Sequence, residues 1–362
     1  MHIGQLMVFQ QGFQDVSDEE VFLRELDMGV EAEKLGFDSV WSVEHHFDDY
    51  SMGPDNFQIL TYIAAKTSTI KLGTGAVILP WNDPVRVVEK ATMLDHMSRG
   101  RLLFGMGRGL AKMEYEGFRV DMNEARERFD EAAQIIVRGL ETGYVEADSA
   151  IYQQPRVQIR PGPSGRSWDG RLYAVAMSPS SIPAIAELDA QLMTFMQYDF
   201  PKHVESIQEW RGLYRKRHET EPRPPLIQDF VVCHEDAEEA RRLAHEHLSR
   251  YFLSVIKHYD FAGTHWRNTR GYETYQVGAD MIREAGMEAA AEAYVEANVY
   301  GTPQQIIDKY AQRLDLGGPL QANACFFFGG MPLDVAEASM RLFGEKVVPE
   351  LHKMRTKTPA GV

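Results

Sequence analysis

Short apolar runs alternate with stretches whose apolar residues recur at helical spacing, almost from one end of the chain to the other. Residues 3–9 read as a first strand. Ser17-Asp18-Glu19-Glu20 then gives a capping-box pattern, ahead of a helix with Val21, Leu26, Val30 and Leu35 on one face and Gly36 as its stop. Residues 39–42 form a second strand, 56–67 a helix and 71–79 a long third strand. Asp83-Pro84 offers a cap and first-turn proline for a helix over 85–97. A fourth strand over 101–105 precedes a helix over 123–141. Residues 172–176, 191–196 and 227–233 read as strands five to seven, each followed by a helical stretch. Thr302-Pro303-Gln304-Gln305 caps the helix leading to a last strand over 322–328. Eight strand–helix repeats without a domain-scale break predict an α/β fold, a single (β/α)8 TIM barrel over 1–355 with a tail at 356–362. A doubly wound sheet is the alternative.

Two segments interrupt this rhythm. Residues 144–171 carry several prolines and glycines and read as an extended excursion. Residues 257–299, an insertion after strand seven, mix Tyr259, His265, Trp266, Tyr272 and Tyr275 with glycines before a helix-prone run. An insertion of that length beside a barrel mouth reads as a mobile lid.

Composition narrows the class. Of 362 residues, 44% are hydrophobic and 25% charged, as in ordinary globular proteins that bury a core. The formal net charge of −15 argues against nucleic acid or an anionic membrane as partner. The two cysteines, Cys233 and Cys325, have neither disulfide nor metal-type spacing. Met1-His2-Ile3-Gly4-Gln5 lacks a signal-peptide pattern, and no apolar run approaches the roughly 18 residues of a membrane span, so a cytoplasmic location is expected.

Chemistry concentrates after the early strands. Trp41-Ser42-Val43-Glu44-His45-His46-Phe47 follows strand two, at the end of a barrel strand that carries catalytic groups. Adjacent histidines on a strand face opposite ways, so one of them can reach a site while the other packs. No metal site is expected, because nothing supplies a second histidine pair or carboxylates at ligand spacing. Gly105-Met106-Gly107-Arg108-Gly109 fails the dinucleotide fingerprint at Leu110, yet leaves Arg108 as an anion partner or, equally, a surface arginine on a tight turn. Ser178-Pro179-Ser180-Ser181 suits either a phosphate cradle or plain capping. Gly73-Thr74-Gly75-Ala76 puts two glycines in a strand, which implies a close approach to its backbone.

Several segments together resemble the bacterial luciferase-like flavin monooxygenases, in particular the catalytic α-type chain: Gly36-Phe37-Asp38-Ser39-Val40-Trp41 with Glu44-His45-His46-Phe47, Leu94-Asp95-His96-Met97-Ser98-Arg99-Gly100-Arg101, Arg108-Gly109-Leu110, Thr269-Arg270-Gly271-Tyr272 and Gly301-Thr302-Pro303-Gln304. The resemblance implies a (β/α)8 barrel in which the flavin ring lies against the third strand at Gly75 and Ala76, a pair matching a non-prolyl cis peptide. It places the FMN phosphate at Arg108, Ser178 and Ser181, beside Met177, and makes His45 the catalytic histidine. Residues 257–299 match the mobile loop of the catalytic subunit.

The implied activity is that of a two-component monooxygenase. Reduced FMN from a separate flavin reductase would react with O2 to a flavin C4a-hydroperoxide that oxygenates an aldehyde or ketone. An F420-dependent hydride-transfer enzyme and a non-catalytic flavin-binding partner subunit are the alternatives. Three positions depart from the α-type pattern: Gly107 replaces a reactive cysteine, Met177 an acidic residue and Met196 a tryptophan. These place luminescence in doubt rather than flavin binding. Pairing as a homodimer is expected through the helices after strands two and three, whose Phe57, Ile59, Leu60, Ile63, Val87, Val88, Met93 and Leu94 look more apolar than inner packing requires.

Overall fold

The computed structural model describes residues 1–13, 15–261, 263 and 265–354; the tail at 356–362 lies outside them. Eight parallel strands close into a barrel: β1 His2–Met7, β2 Ser39–Ser42, β3 Lys71–Thr74, β4 Leu102–Gly107, β5 Leu172–Val175, β6 Gln191–Phe195, β7 Leu226–Cys233 and β8 Gln321–Cys325. Each pairs with the next in chain order, and β8 returns to β1 with Ile3 opposite Ala322. The strands are buried almost throughout, as a sheet covered on both faces requires.

Local signals hold where their partners are local. Ser17 accepts from the Glu20 amide and Asp83 from the Arg86 amide. Thr302 and Gln305 make the full reciprocal box that starts the helix Pro303–Gly317. Strand ends differ from expectation where distant residues intervene. The first strand stops at Met7 because the amides of Val8 and Phe9 donate to the buried Glu25 carboxylate, both at 2.7 Å, and Phe9 turns to φ 53°. The long third strand is two pieces. After Thr74 the chain turns through Gly75–Ala76, a cis peptide, and Val77–Ile78 pairs alongside Met106 and Gly107 of β4. The last strand ends at Cys325 rather than 328; beyond it the Gly329 amide donates to the Gln10 side chain.

The glycine signal in the third strand also has a different cause at its first position. A Cβ on Gly73 would stand 2.0 Å from the Trp41 ring, so an indole of the barrel interior, not a ligand, occupies that space. At Gly75 a Cβ would meet nothing nearer than 3.6 Å.

Of the eight residues expected to form a dimer face, seven are buried inside the single chain, Phe57 being the most exposed of them at 5%. They pack the barrel's outer layer, and only Met93 of that set faces solvent, with Tyr62 and Met97 near it on the same two helices. The apolar surplus inferred from the pattern is therefore core, and it no longer argues for a dimer.

The excursion at 144–171 holds an antiparallel hairpin, Tyr144–Asp148 with Gln153–Gln158. The insertion after β7 is more ordered than a loop. The helix Ala237–His258 runs into it, and the helices Glu273–Ala285 and Met287–Ala297 follow, before Val299–Gly301 pairs with the outer part of β7. A short helix not foreseen in the pattern, Lys112–Phe118, stands between β4 and its main helix Ala125–Thr142.

Candidate active site

Four neighbouring strands, β2 to β5, deliver the expected residues to one end of the barrel. After β2 the chain leaves strand geometry, and the two histidines diverge. His46 turns its ring toward Phe118 and Trp81 and reaches Glu44 at 3.3 Å. Glu44 is a structural bracket: it also accepts from the Trp81 indole and the Asn82 amide, both at 2.8 Å, and from the Ile78 amide at 3.2 Å. It thereby fixes the turn that follows Val77–Ile78.

His45 points the other way, into a buried polar cluster assembled from three distant segments. Its Nδ1 lies 3.0 Å from Glu114 Oε1, and its Nε2 3.4 Å from the Tyr259 hydroxyl. Glu114 sits on the unforeseen helix Lys112–Phe118 and also accepts from the His46 amide at 2.8 Å. Burial opposes ionisation of this carboxyl, but the charge and hydrogen bond of His45 outweigh it, and with His258 and the His46 amide they hold Glu114 below the usual carboxylate range. Behind His45 stands His258, its ring edge-on to His45 at 5.1 Å and stacked on Tyr50 at 4.3 Å. Burial, reinforced by the neighbouring His45, pushes His258 down to about 4, so this ring is neutral at ordinary pH.

The next strands carry the remaining expected groups. Ser178 and Ser181 face each other, with hydroxyls 3.0 Å apart, and the cation beside them is Arg126, whose Nη2 donates to Ser181 at 3.3 Å. Burial lowers the Arg126 pKa and the positive charge of Arg108 adds to this, so two arginines share the region. Arg108 itself donates to the Gly271 carbonyl at 3.0 Å and stacks on the Tyr272 ring at 4.0 Å. Met177 turns its thioether to β6, accepting from the Phe195 amide at 3.2 Å. Facing Gly75 from β7 is Gln228, fully buried with both amide atoms unpartnered among the described residues, its Nε2 3.7 Å from the place a Gly75 Cβ would take.

The insertion covers this end of the barrel. Trp266 and Tyr272 are fully buried, in a cluster with Tyr115, Met122, Ala125 and Ala279. The Tyr272 hydroxyl donates to the Gly109 carbonyl at 2.8 Å, and Arg270 pairs with Glu127 at 2.7 Å.

Sequence reasoning missed Glu114, Arg126, Gln228 and His258. Glu114 and Arg126 carried a weak signal, as charged residues closely following the Gly105–Gly109 segment. His258 and Gln228 carried none, since each gains its setting only across the barrel.

Comparison with known proteins agrees with this fold. The family model described as luciferase-like monooxygenase matches residues 1–319. The alkanal monooxygenase alpha chain of Photorhabdus luminescens is 26% identical over 350 residues, covering 92% of this chain and 93% of that protein. Among solved structures, the monooxygenase RslO1 from Streptomyces bottropensis superposes with a TM-score of 0.76 at 24% identity, over 97% of this chain and 100% of that one. The oxygenating constituent of 3,6-diketocamphane monooxygenase from Pseudomonas putida, a type II Baeyer-Villiger enzyme in complex with FMN, gives 0.73 at 15% identity, over 96% and 98%. An F420-dependent secondary alcohol dehydrogenase gives 0.70 at 15% identity, over 97% and 98%. No helix among the described residues is long and apolar enough to cross a membrane.

Proposed function

The chain belongs to the luciferase-like monooxygenase family, and on that premise we propose that it is a two-component monooxygenase that takes reduced FMN from a separate flavin reductase and uses O2 to oxygenate a small carbonyl compound. The observation that carries this reading is the order of groups along β2 to β5. An imidazole, a side-chain-poor turn at Gly75–Ala76, a cation and a pair of hydroxyls stand at the ends of four consecutive strands.

These residues fit FMN. Two facing serine hydroxyls and a half-buried guanidinium suit a phosphate, which arginine binds through charge-assisted hydrogen bonds. The Gly75–Ala76 turn, bordered by Trp41, Leu6 and the Gln228 amide that is unpartnered among the described residues, suits a flat ring with polar edges. When bound, the reduced flavin supplies the electrons and the activation of O2. The protein's share is binding, orientation and exclusion of water. Glu114 accepts from His45 Nδ1 and so leaves Nε2, in long contact with the Tyr259 hydroxyl, as the ring atom that would hold or release a proton beside the substrate. The insertion, resting on Arg108 through Gly271 and Tyr272, keeps bulk water from the barrel mouth.

Turnover with reduced FMN, a reductase and a panel of aldehydes and cyclic ketones under isotope-labelled O2 tests the reading. Label in the acid or ester product is the expected result. Oxidised substrate without label, or activity with reduced F420 alone, would replace it with hydride transfer. Arg126→Ala should weaken FMN by about tenfold to a hundredfold, the worth of a charged hydrogen bond, and leave riboflavin, which lacks the phosphate, unaffected. Equal losses for both flavins would place the phosphate elsewhere. Limited proteolysis addresses the lid: cleavage between 259 and 287 should be fastest in the free chain and slow when FMN and substrate are bound. Cleavage there that ligands do not alter would leave the segment a fixed surface insertion.

A further inference from the structure

His258 is oriented more tightly than a packing role needs. It is 3% exposed, and its Nδ1 is held by the Asp48 carboxylate at 3.1 Å, which puts the ring hydrogen on that side. The lone pair of Nε2 is thereby turned inward, with no hydrogen-bond partner among the described residues, 3.7 Å from Glu114 Oε1. His45 Nδ1 approaches the same oxygen at 3.0 Å. One ligand atom from each of the three residues lies within 4.8 Å of the others.

We propose that His45, Glu114 and His258 form a binding site for a divalent transition-metal ion of the zinc type. Zinc holds nitrogen and oxygen ligands at about 2.0–2.1 Å, so two ligands of one tetrahedral ion stand roughly 3.3 Å apart. The separations of 3.0 and 3.7 Å straddle that value. Two imidazoles and a carboxylate are a donor set that such ions accept, and hard cations such as Mg2+ favour all-oxygen sites instead. Asp48 occupies the place of the carboxylate that typically orients a metal-bound histidine from behind. Water would complete the coordination. Because the ion would take the Nδ1 that Glu114 otherwise engages, its effect on the proposed oxygenation is inhibition. That consequence, unlike the binding itself, rests on the function proposed above.

The test is a calorimetric titration of the metal-free full chain with Zn2+, and a parallel one with Co2+ followed by visible absorption. One ion per chain is expected at the site, with the intense visible bands of tetrahedral Co2+. His258→Ala should abolish both, and Asp48→Asn should weaken Zn2+ by about tenfold to a hundredfold. Circular dichroism of the variants shows that they remain folded. A second group, His245 with Glu292 and Glu296, is exposed on the surface. Binding that persists unchanged in His258→Ala would belong to such a group and overturn the proposal, as would no stoichiometric binding to the unaltered chain. Zn2+ bound as expected to a protein that oxygenates nothing would leave the metal site standing and remove the functional reading.

Discussion

His45→Ala should cut oxygenated product by about a hundredfold or more, the usual worth of a positioned proton-transfer group. The oxygen consumed should then appear as hydrogen peroxide. FMN binding should persist, because the phosphate-binding candidates Arg126, Ser178 and Ser181 lie on other elements and do not bond to His45. Glu114 acts through His45 as a positioning residue, since it bonds to the imidazole. Glu114→Gln should therefore lose part of the product yield in the native background and nothing further in the His45→Ala background. Measured product-to-peroxide ratios for the two single variants and the double variant decide the matter. Full coupling in His45→Ala would remove this histidine from the chemistry, and additive losses would separate Glu114 from it.

The largest stability effect is expected at Arg313→Leu. Arg313 is 3% exposed and Asp229 fully buried; its Nη1 donates to both Asp229 oxygens at 2.7 and 2.8 Å, and its Nη2 to the Ala297 carbonyl at 2.7 Å. The Tyr310 hydroxyl adds a bond to Asp229 at 3.1 Å. One guanidinium thus ties β7, the helix Pro303–Gly317 and the end of the inserted segment. Removing it strands a carboxylate in the interior, which costs about 3–5 kcal/mol. Replacing both partners, Asp229→Leu with Arg313→Leu, should recover part of that loss because no charge is then left unpaired. Urea unfolding of the three variants checks this. A loss below about 1 kcal/mol for Arg313→Leu would put the pair in the class of surface bridges and refute the assignment.

What the sequence determined by itself is whatever depends on near neighbours in the chain. The alternation of strands and helices predicted the barrel, because periodicity reports which face of an element is buried. Caps at Ser17, Asp83 and Thr302 were legible because donor and acceptor are three residues apart. The clustering of chemistry after β2 to β5 was legible too, since a parallel barrel sends those loops to one end. The tertiary structure decided the rest. It ended the first strand with Glu25, filled the space at Gly73 with Trp41, and buried the apolar helix faces that looked free for a partner. Above all it brought Glu114 and His258 to His45. Those residues meet because closing the barrel brings the segments after β2, β4 and β7 together at one end, and no local period records which side chains a closed ring will bring face to face.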